Sequence, residues 1–276
     1  LHNVAVFDLF DVVAYADDAA SHPNELREAY GGDSGDSHPN DDANARLTEV
    51  FATDPGNFLD AAWAGSSAGT EFYVSVSGDD TADGSLAHPW QTVQHAVDSV
   101  SPGDTIYVMA GTYNERVDIT RSGAVDAYIT LAAFPGDVVT VDGTDVEVPQ
   151  YSGLVNVINV DWVRIRGLRV INAGPNVKSA GIHVEDGDHV LVEDNYTYNT
   201  LSSGILVWNS TNVIVEGNEV EMACNGGQNE CTTIGGAVGV EVRYNYIHNA
   251  GVTESGGEGI CIKDGCADGL VHHNVV

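Results

Sequence analysis

The chain has 276 residues, 43% of them hydrophobic, which is enough for one elongated core plus a small extra segment. Its 41 Asp and Glu against 10 Lys and Arg give a formal charge of −31. That balance argues against nucleic acid or an anionic membrane surface as partner, and it fits a solvated acidic surface or a few divalent-cation sites. No apolar run reaches the length of a membrane span, so no membrane insertion is expected. The chain begins at Leu1 without Met, as a mature, processed or partial chain would.

Residues 1–63 carry three short helical patterns, at Phe7–Ala20, Glu25–Tyr30 and Ala43–Ala52. The acidic loop Gly31–Asp42 lacks the ordered acidic spacing of a calcium loop and reads as solvated. Residues 64–70 (AGSSAGT) read as a linker. A different region starts at residue 71 and runs to residue 276. Phe72–Val76 is expected as a strand before a Gly/Asp-rich turn. Trp90, Val93, Ala96, Val97 and Val100 then share one helical face, and Pro102-Gly103-Asp104 stops that helix. Thr105–Met109 alternates as a strand, and Gly111-Thr112-Tyr113 turns.

From Gly153 the chain repeats at intervals of roughly 23 to 29 residues. The first strands of four repeats are Gly181–Glu185, Gly204–Trp208, Cys231–Gly235 and Gly259–Lys263. A second strand follows each and ends in an asparagine: Asn195, Asn218, Asn245 and Asn274. Alternation points Ile182/Val184, Ile205/Val207, Thr232/Ile234 and Ile260/Ile262 inward. The asparagines are expected to stack at one corner as a structural column. Three outward columns remain. They hold Ala180, Ser203, Glu230 and Glu258; His183, Leu206, Thr233 and Cys261; and Glu185, Trp208, Gly235 and Lys263. Insertions at Glu221–Glu230 and Asn249–Glu258 should protrude beside these strands and wall a groove.

The phrase from Phe72 to Gly143, with its Pro89-Trp90, Pro102-Gly103-Asp104-Thr105 and Gly111-Thr112-Tyr113 elements, resembles the entry segment of secreted right-handed parallel β-helix proteins. That resemblance covers Phe72–Val276. It implies an all-β solenoid with an N-terminal capping helix, preceded by the small mainly helical or irregular segment. It also implies a secreted, extracellular or cell-surface protein acting on an acidic polysaccharide or other glycan.

Chemistry is sought on the outward columns. Glu230 and Glu258 would stack as like charges about 4.8 Å apart, which is costly unless a cation sits between them or one is protonated. Asn229 and Glu254 can add oxygens, and calcium suits such a set. Lys263, one of only two lysines with Lys178, stands outward on the same strand as a base, a carboxylate binder or a surface partner of Glu258 and Asp264. His183 is a second catalytic candidate, and Trp208 and Glu185 are substrate-binding candidates. His248, His272 and His273 adjoin the asparagine corner and read as turn-side hydrogen-bonding groups.

Glu258-Gly-Ile-Cys-Ile-Lys263 is similar to the calcium-ligand and base strand of β-helical polysaccharide lyases of the pectate-lyase, chondroitinase-B and alginate-lyase types. In the latter two, an asparagine one coil earlier also binds calcium, and Asn229 matches it. The resemblance implies β-elimination assisted by Ca2+. Two departures stand out: the acid is Glu where the pectate type has Asp, and the family's arginine would fall after Val276.

The four cysteines are late and lack Cys-x-x-Cys spacing, which argues against a zinc site. Local bridges Cys224–Cys231 and Cys261–Cys266 are expected in an oxidising compartment. Asn195-Tyr-Thr and Asn209-Ser-Thr are glycosylation sequons. The last strand ends without a cap, so either the natural chain continues or something covers that end. Residues 1–6 of another copy, sharing His-Asn-Val with His272–Val276, would do so by head-to-tail self-association. Two alternatives to a lyase stay open: a non-enzymatic surface or filament protein, and a β-helical glycoside hydrolase using Glu185, Glu230 or Glu258.

Overall fold

A computed structural model describes residues 69–227, 229–251 and 257–276. The helices expected before residue 63, the linker up to Ala68, and Glu254 lie outside the described residues. What is described is a right-handed-type solenoid of three parallel sheets, as the repeats predict. The first sheet has eight strands, running from Glu71–Val74 through Thr105–Val108 and Ile129–Ala133 to Leu270–His272. The second has six: Val117–Ile119, Ser152–Ile158, Ser179–Glu185, Ile205–Trp208, Thr232–Gly235 and Ile260–Lys263. The third also has six, from Gly111–Tyr113 to Tyr196–Tyr198, Glu219–Glu221 and Tyr246–His248.

The entry helix is Val93–Ser99, shorter than the apolar pattern from Trp90 to Val100 suggests. Thr92 is its N-cap, accepting from the His95 N–H at 3.2 Å. The Glu115 carboxylate accepts from the next free donors, the Val93 and Gln94 N–H groups, both at 2.9 Å. Val93, Ala96 and Val97 are buried against the first coil, so the helix closes that end of the core. Trp90 lies outside the helix. It stacks on Phe72 at 4.8 Å, and its indole N–H donates to the Ala82 carbonyl.

Inside the coil, valine, isoleucine and leucine from all three sheets form one continuous core. Ile182, Val184, Ile205, Val207 and Ile234 are all fully or almost fully buried, on the inward side expected from alternation. Thr232 is buried among them, and its hydroxyl has no hydrogen-bond partner.

The asparagines form a ladder at the corner between the first and third sheets. Each Nδ2 donates to the next Oδ1: Asn195 to Asn218 at 3.1 Å, Asn218 to Asn245 at 2.9 Å and Asn245 to Asn274 at 2.9 Å. Each Oδ1 also accepts the backbone N–H of the preceding asparagine, and each Nδ2 reaches a carbonyl one coil back, such as Val192 and Val215. Among the described residues no helix is long and apolar enough to cross a membrane.

Replacing Asn218, which is 1% exposed, by Ala strands the Asn195 N–H and amide donors in the interior. A buried donor without a partner costs about 1–3 kcal/mol, so the expected loss is about 2 kcal/mol or more by urea denaturation. Gln91→Ala, at an exposed residue outside the ladder, should cost less than about 1 kcal/mol. Equal midpoints for the two variants would remove the ladder from the stability account.

Candidate functional site

The outer face of the second sheet carries the site. Its register stacks His183 on Asn156 and beneath Leu206, then Thr233 and Cys261. The neighbouring column runs Glu185, Trp208, Gly235, Lys263. A cavity of about 330 Å³ opens here, lined by Tyr151, His183, Glu185, Leu206, Trp208, Asn229, Thr233 and Lys263. Five of the residues singled out by sequence therefore share one cavity wall, and they come from four successive coils.

Gly235 is what lets Trp208 lie across the coil. A Cβ there would collide with the indole ring carbons, so only glycine leaves the ring flat against the strand. Gly153 plays the same part under His183, whose Cβ would stand 2.8 Å from an added methyl. His183 is 2% exposed, and its Nδ1 is buried without a hydrogen-bond partner. Its Nε2 lies 3.5 Å from Glu185 Oε2, longer than a good hydrogen bond. Burial pushes the His183 pKa down to about 4, so the ring is neutral at ordinary pH. Burial, then the Asp186 charge, raises the pKa of Glu185.

Lys263 places its Nζ 3.0 and 2.8 Å from the two oxygens of Glu230. The Thr233 hydroxyl donates to the same carboxylate at 2.8 Å, which obliges Ser203, fully buried, to donate to Thr233 at 2.8 Å. A relay thus runs from Ser203 through Thr233 and Glu230 to Lys263. Burial opposes charge on both partners, but the ion pair outweighs it. The Lys263 pKa is raised and the Glu230 pKa is lowered. At the other end of the cavity the Lys178 ammonium bonds the Tyr151 hydroxyl at 2.5 Å and lies 4.4 Å from its ring centroid. Both lysines of the chain meet groove residues. The scarcity of lysine singled out Lys263 in the sequence. Tyr151 carried no such signal, because it precedes its strand with a left-handed φ of 62°.

Glu230 and Glu258 meet different partners. Lys263 already occupies both oxygens of Glu230, while Glu258 is exposed and holds the Cys231 N–H only through its backbone carbonyl. Asn229 spends its amide N–H on the Ser202 hydroxyl. The first outward column is also partly covered, with Ala180 and Ser203 fully buried.

Neither expected disulfide is present, since all four cysteines are free. Cys261 belongs to the outward column beside Thr233, whereas Cys266 packs against the core and donates to the Lys263 carbonyl at 3.0 Å. The two therefore lie on opposite sides of the strand. Cys224 and Cys231 are both buried and meet as thiols; the hydrogen bond to Cys231 and then burial push the Cys224 thiol far up.

The family described as "Pel9A-like, right handed beta helix region" matches residues 72–229, more than half of the chain. The chain belongs to this Pel9A-like β-helix family. The matched stretch ends before Glu230, Glu258 and Lys263. "Pectate lyase PEL9" of Emericella nidulans is 30% identical over 158 residues, which is 52% of this chain and 37% of that protein. The chain spans about a third of the length of the curated relatives it matches. A solved putative glycosyl hydrolase from Parabacteroides merdae aligns at TM-score 0.55 and 15% identity over 75% of this chain and 98% of its own. A solved "Rhamnogalacturonan lyase" aligns at TM-score 0.51 and 16% identity over 74% of this chain and 63% of its own. Likenesses at such identity show the fold, which hosts both reaction types.

The depressed His183 pKa has a stability consequence. Unfolded, the ring takes a proton near its ordinary 6.5; folded, it waits until about 4. The His183 contribution is therefore complete above pH 6.5 and is lost as pH falls through that window, amounting to about 3 kcal/mol by pH 4. His183→Leu should lose less stability between pH 7 and pH 4 than the parent chain in urea titrations; an identical pH dependence would show that the ring titrates normally.

Proposed function

We propose that the groove on the second sheet binds a uronate-containing polysaccharide and cleaves it by β-elimination, with Lys263 as the base. One observation carries this: the Lys263 side chain lines the same cavity as the Trp208 indole and the buried His183 ring. A sugar ring stacked on Trp208 would place its C5 proton within reach of the Lys263 column. In the reaction the lysine amine takes the C5 proton, the C4–O bond breaks, a C4–C5 double bond forms, and the departing oxygen is protonated. The pectate lyase relative supports the same substrate class. His183, neutral in the groove wall, would orient a sugar hydroxyl. Glu185 and Asn229 would accept and donate at the walls.

The Glu230 pair keeps Lys263 protonated at neutral pH, so the free amine is scarce there. Below its pKa the amine fraction rises about tenfold per pH unit. Activity should climb through the alkaline range. Removing the Glu230 charge removes the main interactions that hold the lysine pKa up. Glu230→Gln should therefore move the rising limb to lower pH.

A second reading rests on the opposite shifts of Glu185 and Glu230. A carboxyl whose pKa burial raises and a carboxylate whose pKa its lysine partner lowers, on one groove, suit acid and base roles in glycoside hydrolysis. One assay separates the two. Pectate, alginate and glycosaminoglycans are incubated with the protein, with calcium and with chelator, and both ultraviolet absorbance and reducing ends are measured. Absorbing unsaturated ends, lost by about a hundredfold or more in Lys263→Ala, are the expected result. Reducing ends without absorbance, surviving in Lys263→Ala and lost in Glu185→Gln, would replace elimination with hydrolysis.

A further inference from the structure

The third sheet carries a separate cluster on a face that the groove does not use. Glu219 and Glu221 lie two residues apart on one strand, so both point to the same side. His248 pairs in register with Glu221 on the next coil. Its Nε2 lies 2.9 Å from Glu219 Oε1. One ligand atom from each of the three side chains lies within 4.8 Å of the others, the only such group among the described residues.

Two further observations set this cluster apart from ordinary surface acids. Several cross-coil carboxylates of the first sheet face a guanidinium: Glu193 faces Arg164, Asp194 faces Arg166, and Glu216 and Glu241 share Arg243. Glu219 and Glu221 have no Lys or Arg within ion-pair distance among the described residues; the Arg169 guanidinium over the Tyr196 ring reaches Glu221 only through its charge, and the His248 imidazole makes the direct contact. The side chains are also held from behind. The His248 ring stacks on Tyr246 with centroids 4.2 Å apart. Glu221 accepts from the Tyr196 hydroxyl at 2.6 Å and from the Asn249 amide at 3.1 Å.

We propose that Glu219, Glu221 and His248 bind one divalent transition-metal ion of the zinc class. Zinc takes His nitrogen and carboxylate oxygen at about 2.0–2.2 Å in a tetrahedron, which spaces ligand atoms roughly 3.4 Å apart. Opening the Glu219–His248 contact by roughly half an ångström reaches that spacing. An imidazole in the set favours zinc over calcium or magnesium, which prefer oxygen alone. The Tyr196 and Asn249 bonds orient the Glu221 carboxylate as outer partners do at metal sites. Three protein ligands leave one position for water or an added ligand. The site is independent of the groove chemistry.

The test is calorimetric titration of zinc chloride into the chelator-treated full chain, with excess magnesium present to fill plain carboxylate sites. One site is expected in the parent chain, weakened about tenfold or more in His248→Gln and in Glu219→Gln. Glu219 is half-exposed, so its variant keeps the fold as a control. Cobalt(II) should give a tetrahedral d–d spectrum without a thiolate charge-transfer band, and His248→Gln should abolish it. Unchanged isotherms in both variants, or a cobalt–thiolate band showing that the free cysteines take the ion, would overturn the proposal.

Discussion

The last four described coils of this solenoid are set one upon the next by buried amides. An asparagine at the same corner of successive coils gives its Nδ2 hydrogens to a carbonyl one coil back and to the next asparagine. Its oxygen receives both the side chain and the backbone of the one before. All the hydrogen-bonding capacity of the group is spent between coils. An aliphatic core of Val and Ile would tolerate a slip of two residues, which keeps the same face inward, with little change in buried volume. The amides would not, because a slip strands several buried polar groups at once. The core supplies the bulk of the stability, and the ladder makes one register much better than its neighbours.

That register makes the groove. In a parallel stack, side chains at equivalent positions of successive coils form straight columns about 4.8 Å apart. His183 and Thr233, or Trp208 and Lys263, are distant in sequence yet belong to the same columns. The column can also hold a deliberate gap. Gly235 occupies the place between Trp208 and Lys263, and the indole spreads into the space a side chain would take. A flat aromatic surface next to an ammonium follows from one missing Cβ.

The parts of this arrangement that obey periodicity were readable from the amino-acid sequence. Alternation in Gly181–Glu185 and its three counterparts gives the inward and outward residues, and the recurring asparagine gives the corner. Side-chain pairing across the groove was not readable, because it depends on rotamers rather than register. Glu230 and Glu258 align, yet Glu230 turns to Lys263 and Thr233 because an ammonium and a hydroxyl satisfy it better than a second carboxylate. The Cys261–Cys266 pair fails for a related reason. Proximity in sequence puts Cys261 and Cys266 five positions apart, but the turn after Lys263 sends one outward and the other against the core. Glu219, Glu221 and His248 were hidden because their strands are only three residues long, too short for alternation to mark a face.

The charge distribution bears on what such a groove can accept. A chain at −31 repels a polyanion at long range, and at physiological salt that repulsion fades beyond about 8 Å. Inside that distance only local groups matter. Arg164, Arg166 and Arg243 are held by carboxylates on the first sheet, whereas both lysines meet groove residues. Lys178 faces a neutral tyrosine and keeps its charge uncompensated by that contact, while Lys263 gives its charge to Glu230. A substrate carboxylate arriving beside Trp208 would compete with Glu230 for the same ammonium. If it wins, Glu230 loses its counter-ion in a half-buried place and its own proton affinity rises. The ion pair that holds Lys263 protonated in the free protein is therefore the contact that an anionic sugar would have to disrupt to reach this ammonium.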